Sequence, residues 1–200
     1  MPRLPVAAAL ALLFLTACSR TMDDSDIKQN PHPKQAYDIT VTLRDAPGPF
    51  DSVRGEMAFE VENHECVPQD PFSGARKVPT YYPAFELRPA GDGTYRGTVY
   101  LDLLRDSDYF GLGRCRWHFT GLLASFQAYG VRFVGTMTDE DVRSGEPTTQ
   151  FFAKKLFRPS DIEDFGVNGV PMSDYVRAHP DDFFSMTLIA KERRHGSSLE

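Results

Sequence analysis

Asp108-Tyr109-Phe110-Gly111-Leu112-Gly113-Arg114-Cys115-Arg116-Trp117 is the densest run of structural punctuation in the chain. Gly111 and Gly113 permit the positive φ angles of a tight turn. Cys115 is one of three cysteines, and Trp117 is the only tryptophan. From Cys115 onward the pattern has a period of two. Cys115, Trp117, Phe119 and Gly121 share one face, with Arg114, Arg116 and His118 on the other, as in a half-buried strand. Such a run invites the reading of an active loop, or of a tryptophan lining a ligand pocket. A clamp explains it more simply: a turn, one end of a disulfide, and an indole packed beside the bridge.

The partner cysteine follows from the N-terminus. Arg3 supplies a positive n-region, Leu4 to Leu15 is a short apolar run, and Leu15-Thr16-Ala17-Cys18 fits a lipobox. The run is too short to stay in a bilayer as a spanning helix. Residues 1–17 read as a lipoprotein signal peptide, and Cys18 as the lipidated first residue of the mature chain. Several acyl chains anchor far more firmly than one. Ser19 stands where an aspartate would favour inner-membrane retention, so the expected location is the periplasmic inner face of a Gram-negative outer membrane. With Cys18 used by lipid, Cys66 and Cys115 remain, and an oxidising compartment favours pairing them over two buried thiols. Closing a loop of about 50 residues contributes roughly 4 kcal/mol in the chain-entropy treatment.

The full chain of 200 residues has a net charge of -6. Removing residues 1–17 takes away Arg3, leaving 21 Lys+Arg against 28 Asp+Glu, a net -7. No basic face for nucleic acid is visible in this balance. Residues 18–35, with Asp23, Asp24, Asp26, Pro31 and Pro33, lack apolar periodicity and read as a lipidated tether. Residues 36–193 read as one folded domain and 194–200 as a disordered tail.

Within the domain, alternation recurs. Tyr37, Ile39, Val41 and Leu43 mark one strand; Met57, Phe59 and Val61 a second, with Glu56, Glu60 and Glu62 facing water. Phe85 and Leu87 form a short strand before the Gly91-Asp92-Gly93 hairpin turn, and Tyr95 to Leu103 another. Trp117 continues through Leu122 to Tyr129. Val131, Phe133 and Gly135 form its neighbour, Phe151 to Phe157 a further strand with a helix as the alternative, and Phe184, Met186, Leu188 and Ala190 the last. Ser160 and Glu163 suggest a capping box, and Ser173 to Arg177 a second short helix stopped by Pro180. About eight strands with one or two short helices and one disulfide give an all-β fold. The expected architecture is an immunoglobulin-like or transthyretin-like β-sandwich, with a small barrel as the alternative. The immunoglobulin cysteine–tryptophan–cysteine order is absent, because Trp117 follows the second cysteine.

Chemistry is sparse. No G-x-S-x-G, H-E-x-x-H, C-x-x-C, P-loop or dinucleotide fingerprint occurs. The five histidines are scattered, and a His64–Cys66 thiol pair would need a free thiol. Asp102, Asp106 and Asp108 lack the ligand order of a calcium loop. No catalytic residue, metal or cofactor is assigned. The long proline-rich loop Val67 to Pro83 carries Phe72, Tyr81 and Tyr82, and Asp139-Glu140-Asp141 lies in an acidic turn. These six residues are the expected partner contacts, since tyrosine offers contact area at low entropic cost; the alternative for the three aromatics is that they cap the edge of the sandwich.

The lipobox, the short acidic tether, the β-rich domain and the D-Y-F-G-x-G-x-C-x-W run with its upstream cysteine resemble one family: the immunity lipoproteins of the bacterial-killing type IV secretion system. The resemblance covers the signal and Ala36 to Trp117. It implies a lipid-anchored protein that binds a cognate secreted effector, often a cell-wall or phospholipid hydrolase, and occludes it. The alternatives are an envelope assembly or structural lipoprotein, and a carrier for a small apolar ligand suggested by the 15 phenylalanines.

Overall fold

A computed structural model describes residues 22–159 and 164–193. The signal peptide, Cys18, the Ser160/Glu163 capping box and the tail from 194 lie outside the described residues. The chain forms a two-sheet β-sandwich. In one sheet, β1 (Ala36–Arg44) lies between β6 (Thr94–Tyr100) and β11 (Phe183–Glu192), with β5 (Arg88–Pro89) and β9 (Thr148–Ala153) at its edges. In the other, β7 (Trp117–Ala128) lies between β2 (Ser52–Val61) and β8 (Val131–Thr138). There β3 (Thr80–Tyr81) and β4 (Ala84–Phe85) pair with β2, and β10 (Phe165–Asn168) pairs with β8.

Alternation produced the buried faces where it was clean. Tyr37, Ile39, Val41 and Leu43 on β1 are buried, as are Phe184, Met186, Leu188 and Ala190 on β11. The two strands pair antiparallel with Ile39 opposite Ala190. Between the sheets, Phe133 meets Phe184 and Phe152 at ring-centroid distances of 5.1 and 5.8 Å, and Phe50 meets Phe126 at 5.3 Å. Edge-to-face pairs of this kind add to plain area burial.

On β7 the alternation changes phase. Phe119 faces inward, but beyond Gly121 the even positions Leu122, Ala124, Phe126 and Ala128 are the buried set. The register against β2 shifts between Ala58 and Phe59, leaving Thr120 as the extra residue of a bulge. Gly121 makes it possible: its φ is +156°, and a Cβ there would stand 2.3 Å from the Met137 carbonyl oxygen.

Both edges of the sandwich are laced by segments that change sheets. Residues 80–89 pair first with β2, through β3 and β4, then with β6 through β5. Phe85 plugs this edge, fitted between two strands where glycine leaves room: a Cβ would lie 2.6 Å from its ring on Gly55 and 3.0 Å on Gly97. On the opposite edge β10 runs parallel to β8. Val170 then exchanges two backbone hydrogen bonds with Phe151 of β9, at 2.8 and 3.0 Å. Gln150 completes this closure, its amide accepting from Thr136 N and donating to the Thr136 carbonyl. Lacing satisfies backbone groups that would otherwise stand open to strand addition.

Four expectations are corrected. Asp139-Glu140-Asp141 is not a turn but the start of helix α1 (Asp139–Ser144). Thr138 is its N-cap, its hydroxyl accepting from Asp141 N while the Asp141 carboxylate accepts from Thr138 N. The strand expected to run to Phe157 ends at Ala153, and Lys154–Leu156 form a 3-10 turn. The strand expected to reach Leu103 ends at Tyr100. The described part of the tether is docked rather than free. Asn30 N donates to the Leu103 carbonyl, Arg105 N to that of Lys28, and the Asp102 carboxylate accepts from Lys34 N and Gln35 N. Ile27 packs on the main core. The second helix stands as expected, as α2 (Asp174–Ala178) capped by Ser173.

Candidate functional site

The clamp is built from both ends of its loop. β2 delivers Asn63 and a 3-10 turn, His64–Cys66, beside the start of β7. Cys66 and Cys115 form a disulfide with Cα atoms 5.3 Å apart. Both are buried with Val61, Val67 and Tyr109 in a small core of their own, and Trp117 packs against this core and the main one. Trp117 therefore joins two cores, and it also forms part of the wall of a cleft beside the clamp.

The polar groups of the clamp are mutually satisfied. The Asn63 side chain donates to the Arg114 carbonyl at 2.9 Å and accepts from Arg116 N at 2.6 Å. The Tyr109 hydroxyl donates to the Arg105 carbonyl at 2.6 Å and accepts from Trp117 Nε1 at 3.3 Å. Asp106 accepts from Trp117 N, and Asp108 from Gly111 N. The aspartates that suggested calcium thus hold backbone N–H groups, as Asp102 does. Among the described residues, no group of three or more His, Cys, Asp or Glu is placed to hold a metal ion.

Beside the clamp lies a cleft of about 440 Å³ whose lining includes Asp102, Arg105, Asp106, Arg114, His118 and Arg143. Its charges are largely internal. Arg114 faces Asp106 at 3.7 Å and Arg143 holds Asp139 at 2.8 Å. That second pair raises the Arg143 pKa above its ordinary value, through the Asp139 hydrogen bond. Nothing here sets a nucleophile beside a base.

The six expected contact residues separate. Phe72 is 97% exposed at the tip of a turn, and Tyr82 is 54% exposed between β3 and β4. Tyr81 is half-buried in β3 opposite Phe59 and packs on the main core. Asp139 is tied to Arg143, Asp141 caps α1, and Glu140 is exposed. The loop and the helix do not form one surface, because β7 and β2 lie between β8, which leads into α1, and β3. At strand spacing that separates them by about 14 Å.

A second surface had no sequence signal. Phe165, Val170, Met172 and Tyr175 are all exposed, Tyr175 at 62%. They lie on one stretch that leaves the laced edge and folds over the outer side of β9 and β11. Tyr175 meets the ring of Phe183 at 6.1 Å, and Val176 is buried beneath. A cleft of about 250 Å³ opens there among Met172, Phe151, Pro180 and Asp45. Asp45, Asp174, Asp181 and Asp182 accompany it against Arg177, which is held by Asp174 at 2.6 Å. No periodic pattern marks residues 165–175, so nothing in the sequence separated these side chains from core.

A scan against protein-family models, a search of curated proteins and a search of solved structures find no match for this chain.

Proposed function

We propose that this protein is a lipid-anchored periplasmic inhibitor that binds a cognate antibacterial toxin and occludes it. The reading rests on the Leu15–Cys18 lipobox and on the resemblance of the Asp108–Trp117 run to the immunity lipoproteins. One observation of the fold carries it further: the exposed apolar side chains of residues 165–175 sit on a segment pinned to both sheets. A pre-ordered surface loses little entropy on binding. Large apolar groups exposed together in a soluble domain mark contact sites, and the accompanying aspartates suit a cationic partner surface. Tyr82 remains as a smaller second contact from the expected set, and Glu140 stands on a separate surface. Carriage of an apolar ligand is less well supported, since phenylalanine rings occupy the space between the sheets.

The test is protection. The product of the neighbouring gene is exported to the periplasm with and without this protein. Survival only in its presence supports the reading. Equal killing in both cases, or a fitness defect on deletion with no toxin present, sinks it in favour of an envelope assembly role. Within a protecting pair, the double substitution Met172→Glu and Tyr175→Glu should abolish binding, and Tyr82→Ala should weaken it less. Unchanged binding by the folded double variant removes the 165–175 surface from the proposal.

A further inference from the structure

Phe72 is the most exposed large apolar side chain of the described residues, at 97%. It is also held in place. The Asp70 carboxylate accepts from Phe72 N at 3.0 Å, from Ser73 N at 2.7 Å and from the Ser73 hydroxyl at 2.9 Å, and Gly74 N donates to the Asp70 carbonyl. The Ser73 hydrogen bonds hold the Asp70 carboxyl below its ordinary range. A phenylalanine held this far out from the fold by an ordered turn is pre-positioned for an apolar contact.

The position of the turn names one. Met22 packs on the disulfide core, and Met22 and Asp24 line a groove together with Pro68, Pro71 and Phe110. The Phe72 turn therefore stands directly beside the point where the chain enters the fold. Cys18 precedes Met22 by four residues, which span at most about 14 Å when extended. We infer that Phe72 dips into the bilayer surface as a second, non-covalent membrane contact beside the lipidated Cys18. The inference rests on the reading of Cys18 as the anchor. Charges at this end are mixed, with Asp23, Asp24, Asp26 and Asp70 against Lys28, Arg76 and Lys77. They fit a surface rich in zwitterionic lipid. Two contacts, one covalent and one apolar, hold this end of the domain toward the bilayer more firmly than either alone. The clamp then faces the membrane, and the far ends of the strands, with residues 165–175, face the periplasm. Phe72 leaves the set of toxin contacts.

The experiment uses the full lipidated chain in vesicles of phosphatidylethanolamine and phosphatidylglycerol, plain or with brominated acyl chains. Phe72→Trp is compared with the natural chain, in which Trp117 is the only indole. The expected result is a blue shift and a loss of Phe72→Trp emission in brominated vesicles, with the Trp117 signal of the natural chain unchanged. Equal emission in both vesicle types, from protein that floats with the vesicles and carries acyl mass at Cys18, overturns the inference and leaves the anchor standing. Protein that neither floats nor carries acyl mass overturns the anchor and the inference with it. Quenching absent with lipid, but a spectral shift on adding the toxin, assigns Phe72 to the protein interface instead.

Discussion

Two places where the chain is locked, the clamp at the ends of neighbouring strands of one sheet and the laced edge between the two sheets, work by different physics. The clamp uses a covalent bond, a small separate core and a set of side chains that satisfy backbone groups: Asn63, Asp106, Asp108 and Tyr109. The laced edge at residues 165–170 relies mainly on strand pairing, to β8 on one sheet and β9 on the other, with Gly169 at the crossing and side-chain help from Gln150. The clamp buries its apolar groups apart from Leu112, whereas the laced edge and the stretch that follows it, residues 165–175, leave four exposed. A region locked by chemistry can be read from residue types; a region locked by topology cannot.

The strongest way to break this contrast is to remove the bridge. Replacing Cys66 and Cys115 together by serine should cost about 4 kcal/mol, the entropy of releasing a loop of this length. Denaturant unfolding of the purified domain measures it. A loss below about 1 kcal/mol would mean that the small core and Asn63 hold the clamp without the bond. Asn63→Ala comes next. It strands the Arg114 carbonyl and the Arg116 N–H in a nearly buried site, for which about 3 kcal/mol is expected across the two groups. The bridge should still form, which mass spectrometry under alkylation shows.

The laced edge should be less costly to disturb. A Cβ on Gly169 would stand 2.6 Å from Gln150 Cβ and 2.7 Å from the Phe152 ring. Gly169→Ala should therefore cost about 2 kcal/mol through overpacking. Its signature is local: faster proteolysis within 164–182, with the clamp intact. Cleavage spread evenly over the domain would show that the edge and the clamp melt as one unit.

That asymmetry matches how much each region disclosed in advance. Two cysteines, a lone tryptophan and the 37–43 and 184–190 alternations carried the sandwich and its bridge, because period-two burial and an oxidising address leave few other solutions. The bulge at Thr120 did not show, since a glycine in a strand signals a bulge without fixing its phase. Helix α1 did not show as a helix, though Thr138 and Asp141 stand at capping-box spacing, because three acids and a following Ser-Gly read equally as a turn. The docking of Lys28–Gln35 is written in backbone hydrogen bonds to Asp102 and its neighbours, and a polar segment carries no periodicity to announce them. Of the expected contacts, Phe72 and Tyr82 are exposed, but the pattern could not tell them from Tyr81, which packs inward.

The smallest expected effect lies between the two regions, on the outer side of β1. Arg193 hydrogen-bonds the Asp38 carboxylate and also Thr98, tying the end of β11 across β1 to β6. The hydrogen bond from Arg193 holds the Asp38 carboxyl below its ordinary range. A depressed carboxylate pKa stabilises the fold above the unfolded value, and that contribution is lost as pH falls through the folded one. Asp38 is about half exposed, at 48% for the side chain, so solvent screening limits the pair to less than about 1 kcal/mol. Asp38→Asn should then lower Tm slightly at neutral pH, and the gap to the natural chain should narrow as pH falls through the depressed folded pKa of Asp38. Thermal melts from pH 7 down to pH 2.5 measure this. A gap that persists unchanged at the acidic end would mean that the tie works through shape and neutral hydrogen bonds, bringing it closer to the laced edge than to an ion pair.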